Sequence, residues 1–168
     1  FWNNFISNDV QPIGLAARDT LRLEAGLNLY GTDMDQTNTP YDSNIGWTID
    51  LNDMDRDFIG KNALEEKKDS KKILNGFYTE ERGVLRGGAE VIFEGGSGVV
   101  TSGTWSPTFK KNIGFCRVDK NCGEIGSAVL RDKKITLKFS NMNFLESFKK
   151  YLWKIKKKKI YLLKIVGH

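Results

Sequence analysis

Between Ile73 and Phe139 the chain is built of short β-like runs cut apart by glycine. Ile73 to Tyr78, Glu90 to Phe93, Gly98 to Thr101, Ile113 to Val118, Ser127 to Leu130 and Lys134 to Phe139 carry the β-branched and aromatic residues that suit a half-buried pleated surface. Gly87-Gly88, the run from Gly95 to Gly98, and Gly123 fall between them, where hairpin turns need backbone freedom. Several strands this short and this closely spaced predict a small barrel or sandwich.

The first 70 residues have a different texture. Phe1, Trp2, Phe5 and Ile6 stand at helical spacing before Ser7-Asn8-Asp9, and predict the end of an amphipathic helix. Leu15 to Ala25 predicts a second helix. On a wheel its Ala16, Ala17, Thr20, Leu21 and Leu23, with Leu27 beyond, form one apolar arc. Glu24 falls inside that arc, so it is either buried with a partner or belongs to a site. Arg18 and Arg22, four apart, share the other face. Thr32 to Asn44 is polar and irregular and predicts a long loop. Trp47 to Leu51 alternates and predicts a strand. Asp57 to Leu64 opens a short helix that runs into the charged stretch Glu65 to Lys72, the expected domain boundary.

Charge divides the chain once more. The formal net charge is +5, which on its own would suggest an anionic partner such as nucleic acid. Residues 149–168, however, hold eight lysines and no acid, so residues 1–148 carry 18 basic and 21 acidic side chains, a net of −3. A nucleic-acid or membrane role could rest only on the tail, where Lys154 to Lys159 is nearly all lysine. No run reaches the ~18 apolar residues of a membrane-spanning helix. The only histidine is His168, the last residue, which excludes a histidine-based triad or zinc site within the fold. Cys116 and Cys122, six apart, fit either a small disulfide loop or two free thiols. The glycines sit between β runs and form no G-x-G-x-x-G or Walker pattern, so they do not predict a nucleotide site.

The helix around Arg18 carries more specific information. A guanidinium is a planar fork that can bind both oxygens of a carboxylate. The stretch Gly14-Leu15-Ala16-Ala17-Arg18-Asp19-Thr20-Leu21-Arg22-Leu23-Glu24-Ala25-Gly26-Leu27-Asn28-Leu29-Tyr30-Gly31 strongly resembles the signature of the glycine cleavage system T-protein family of tetrahydrofolate-dependent aminomethyltransferases. The resemblance continues through Asp33-Met34-Asp35, Pro40, Gly46-Trp47-Thr48 and the run from Asp57 to Leu64, then at Gly83 to Arg86 and Thr101 to Thr108. It covers roughly residues 1 to 139.

The resemblance implies an α+β chain: the end of a folate-binding α/β domain over residues 1–70, a small antiparallel β-barrel domain over 73–148, and a basic tail, 149–168, with no counterpart in the family. It implies transfer of a one-carbon unit from the aminomethyl-lipoyl arm of the H-protein to tetrahydrofolate, with release of ammonia. The implied partners are the lipoylated H-protein and tetrahydrofolate as co-substrate, with no metal, nucleic acid or membrane. The implied compartment is the cytoplasm in a bacterium or the mitochondrial matrix in a eukaryote. Arg18 matches the family's folate-contacting arginine, and Tyr30 and Trp47 would either line the same cavity or serve as core aromatics. The family's catalytic aspartate and pteridine-binding glutamate correspond to positions before Phe1. No catalytic residue is therefore assigned, and the chain reads as the C-terminal portion of a longer enzyme, inactive alone. The other reading open to the sequence is a folate-binding module of a related dehydrogenase or iron–sulfur assembly protein, without glycine cleavage activity.

Overall fold

The computed structural model describes residues 1–53 and 55–146; the basic tail of residues 149–168 lies outside the described residues. All six expected β runs form strands: β1 (Lys72–Thr79), β2 (Glu90–Phe93), β3 (Gly96–Ser106), β4 (Lys111–Asp119), β5 (Ile125–Leu130) and β6 (Lys133–Ser140). They close into an antiparallel barrel in the order β1-β4-β3-β2-β5-β6, with β6 returning to β1 through pairs such as Phe77 with Phe139. Closure leaves no free sheet edge, and it settles the sequence's choice between barrel and sandwich.

Alternation along the strands builds two cores. Phe77, Val91, Val100, Cys116, Val118, Ile135 and Leu137 point inward and fill the barrel. On β4, Ile113 and Phe115 point the other way and join Leu23, Leu74, Phe109, Met142 and Phe144 in a second cluster on the outer wall. β4 is thus buried on both faces because a helix covers it.

That helix is α2 (Leu15–Ala25), which follows the short α1 (Trp2–Ser7). Its leucines, alanines, arginines and glutamate favour helix. It stops at Gly26, whose φ of +82° ends it in a left-handed turn. The Gly26 N–H donates to the Leu23 carbonyl at 3.1 Å and the Leu27 N–H to the Arg22 carbonyl at 2.9 Å, the pattern of a Schellman cap. A second constraint falls on the same residue: a Cβ on Gly26 would lie 2.9 Å from Asn143 Cα and from the Met142 carbonyl oxygen. The segment after β6 therefore packs over the helix end.

Two expectations fail here. The apolar arc predicted for α2 is not its buried face: Leu23 is fully buried, but Leu21 is 59% exposed and Ala16, Ala17 and Leu27 also face solvent. The residues that go in beside Leu23 are Arg22 and Glu24, because the barrel wall offers each of them polar partners. Trp47 to Leu51 is not a strand. Gly46–Thr48 forms a single 3-10 turn, since no sheet edge lies free to accept the run. The short third helix, α3 (Lys61–Glu66), begins later than Asp57, after a left-handed Gly60. Among the described residues no helix is long and apolar enough to cross a membrane.

Candidate functional site

The helix is fastened to the barrel through buried charge. Arg22 donates from Nε to Asp19 at 2.7 Å, from Nη1 to Asp33 and to the Leu27 carbonyl, and from Nη2 to the Ser102 hydroxyl at 2.8 Å. Asp33, in the loop after α2, is fully buried. It also accepts the Leu29 N–H at 3.0 Å and the hydroxyls of Thr101 and Ser102 at 2.6 Å each. Neighbouring side chains on a regular strand point to opposite faces, yet Thr101 and Ser102 meet on one carboxylate oxygen. The cause is a bulge in β3, where the pairing to β4 shifts register between Val100 and Ser102.

Glu24 is buried with partners. Its carboxylate accepts the Ser106 hydroxyl, and the Thr108 hydroxyl at 2.8 Å, while the Ser106 hydroxyl accepts the Phe109 N–H at 3.0 Å. The two stretches flagged by resemblance, Thr101 to Gly103 and Ser106 to Thr108, are the two that receive α2.

The loop from Asp33 to Asp42 is held by Arg117 of β4. Its guanidinium donates to the Asp33 carbonyl at 2.7 Å and the Asp42 carbonyl at 2.8 Å. Burial works against ionisation of the Asp42 carboxyl. Hydrogen bonds from Ser70 and Thr39, with the charge of Arg117, outweigh it and hold its pKa below the usual carboxylate range. Cys116 and Cys122 are both free. Burial, reinforced by Cys122, pushes the Cys116 thiol far up, which removes it as a nucleophile near neutral pH.

Between α2 and the barrel wall lies a cleft of about 340 Å³, lined by Leu15, Arg18 and Leu29 on one side and by Arg86, Gly87 and Thr101 on the other. Asp19 and Arg22 also reach it, but they pair with each other. Arg18 is exposed on the helix and faces this space. Tyr30 and Trp47 are brought neither to the cleft nor into a core: they are 68% and 83% exposed and lie on the surface. Asp33 and Ser102 stand in stretches that resemble the family, and their link to Arg22 emerges only from the fold. The available signal was Arg22 and Glu24 bracketing Leu23, which demands buried partners from elsewhere in the chain.

A closed barrel that clamps an arginine-bearing helix through buried charge, with a cleft left at the seam, is the class of protein these features define: a helix seated on a β-barrel. Comparison with known proteins narrows it. The family model described as the GCVT N-terminal domain matches residues 2–53, and that of the glycine cleavage T-protein C-terminal barrel domain matches residues 72–145. The chain is 44% identical over 146 residues to an aminomethyltransferase of Xylella fastidiosa (strain M23), covering 86% of this chain and 39% of that protein. It is 44% identical over 149 residues to an aminomethyltransferase of Stenotrophomonas maltophilia (strain K279a), covering 86% of this chain and 40% of that one. The crystal structure of glycine cleavage system aminomethyltransferase T from Bartonella henselae matches with a TM-score of 0.71 at 36% identity, over 79% of this chain and 39% of that chain. The chain belongs to the glycine cleavage T-protein family. It spans about two fifths of the length of the curated relatives it matches.

Proposed function

We propose that this chain supplies the barrel and part of the folate site of a tetrahydrofolate-dependent aminomethyltransferase of the glycine cleavage system. In that reaction the aminomethyl group arrives on the lipoyl arm of the H-protein, its one-carbon unit passes to tetrahydrofolate, and ammonia leaves. The observation that carries the reading is the cleft beside α2. The Arg18 guanidinium stands there without a hydrogen bond or ion pair among the described residues, as a fork available to a ligand carboxylate. Tetrahydrofolate has such a carboxylate end, so the residues present fit that part of it. Tyr30 and Trp47, with exposed ring faces, are proposed as contacts for the rest of the ligand rather than for its tail. The proposed division into a folate-domain portion over 1–70 and a barrel over 73–148 rests on the change from helix and loop to strand at Lys72.

The test is a chimera that joins the preceding residues of the Xylella fastidiosa relative to this chain. It should bind tetrahydrofolate and release ammonia from aminomethyl-loaded H-protein. Arg18→Ala should weaken tetrahydrofolate binding by at least about tenfold, the loss of one charge-assisted bidentate contact. A folded chimera that binds no tetrahydrofolate, or an Arg18→Ala variant of unchanged affinity, would sink the reading. The 168 residues alone are expected to show no turnover in the same assay, because no residue in them is assigned as the catalytic acid or base. Measurable ammonia release from the isolated chain would contradict that.

A further inference from the structure

Arg86 stands in the connection from β1 to β2, next to the buried Leu85. Glycine brings that connection onto the barrel wall. A Cβ on Gly103 of β3 would lie 1.9 Å from the Leu85 carbonyl oxygen, and one on Gly87 would lie 2.8 Å from the Thr101 carbonyl oxygen. Backbone bonds fix the position: the Gly88 N–H donates to the Val100 carbonyl and the Val100 N–H to the Ala89 carbonyl, each at 2.8 Å. Arg86 is thereby seated on the barrel side of the cleft whose helix side carries Arg18.

Like Arg18, the Arg86 side chain makes no hydrogen bond or ion pair with the described residues. Of the cleft's other charged groups, Asp19 pairs with Arg22 at 2.7 Å, and Arg22 pairs as well with the buried Asp33, so its donors are already taken. Two guanidinium groups with free donors line one small space, and their mutual repulsion is relieved when an anion lies between them. A single carboxylate would satisfy one fork and leave the other. A group with two carboxylates, such as a glutamyl unit, satisfies both.

We infer that Arg86 is the second cation of the carboxylate site, and that the cleft takes a glutamyl tail with one carboxylate on Arg18 and another on Arg86. This rests on the folate reading above for the identity of the whole ligand, and on the cleft alone for the anion site. It makes the barrel, and not only the helix, a determinant of how tightly the tail is held.

γ-Linked triglutamate carries the carboxylates without the pteridine and is the probe. Titrated into the 168-residue chain at low salt and followed by NMR, it should bind saturably, with shifts at Ala17, Gly87 and the arginine side chains. Arg86→Gln and Arg18→Gln should each weaken binding by at least about tenfold. Lys120→Gln removes one exposed charge outside the cleft lining and should change affinity less than about twofold. Arg86 is exposed, so its replacement leaves the fold intact. Absence of saturable binding, or an Arg86→Gln affinity equal to wild type, overturns the proposal. Triglutamate binding that needs both arginines supports it. If the chimera then fails to bind tetrahydrofolate, the folate reading falls while the anion site stands.

Discussion

Asp33→Ala is expected to destabilise the folded chain by about 3–5 kcal/mol, the loss typical of a buried pair broken from one side. Exposed ion pairs contribute only about 0–1 kcal/mol. Asp33 differs because its side chain is fully buried, and because Arg22, Leu29, Thr101 and Ser102 all donate to it. Removing it leaves the Arg22 guanidinium with Asp19, the Ser102 hydroxyl and a carbonyl as partners, in a place water reaches poorly. Against a typical total stability of about 5–15 kcal/mol this is a large fraction. Urea unfolding of the wild type, Asp33→Ala, Arg22→Met and the double variant would measure it. The double variant should be more stable than the sum of the single losses predicts, since an uncharged pair leaves no orphan. A single-variant loss below about 1 kcal/mol would show the network to be solvated and the helix to be held by Leu23 and its apolar neighbours alone.

Much of the barrel was legible because its cause is local. Each strand announces itself through β-branched and aromatic residues between glycine turns, and all six appear where the pattern puts them, β3 and β4 extending a few residues beyond it. Leu15–Ala25 was legible for the same reason, helix formers ending on a glycine. The seam between them was not. Which face of α2 goes inward depends on residues 80 to 84 positions away, such as Ser102 for Arg22 and Ser106 and Thr108 for Glu24, and no periodicity within the helix encodes that distance. An apolar arc that includes Leu21 is a sound inference until a barrel wall offers Arg22 and Glu24 better partners. Trp47 misled in the other direction. Its alternation with Ile49 and Leu51 satisfies a strand pattern, but a strand needs a neighbour, and the closed barrel has no edge to give. Of the site residues, Arg18 entered through resemblance to a family motif. Arg86 could enter only through the fold, because nothing in the string Gly83 to Arg86 says that Gly103 will draw it to the cleft.

Phe115→Ala is expected to cost about 3–5 kcal/mol in stability, as large aromatic truncations in a core do. Its ring is fully buried in the outer cluster, stacked on Phe144 at 6.0 Å, with the Arg22 guanidinium 5.8 Å from its centroid. Phe77, equally buried but inside the barrel, provides the comparison. Phe77→Ala should lose a similar amount of stability, since the size of the cavity and the quality of packing decide the cost rather than the side of the sheet. The two should part in what else they change. Phe115 lies between β4 and the helix that carries Arg18, so its loss should loosen α2 locally. Amide exchange at Leu21 to Ala25 should then accelerate beyond what the global stability loss requires, and triglutamate affinity should fall. Phe77→Ala should accelerate exchange across the barrel and leave triglutamate affinity near wild type under conditions where both proteins remain folded. Equal effects of the two variants on helix exchange and on triglutamate binding would show that α2 and the barrel open as one unit. The cleft would then be held by the fold as a whole rather than by the Phe115 cluster.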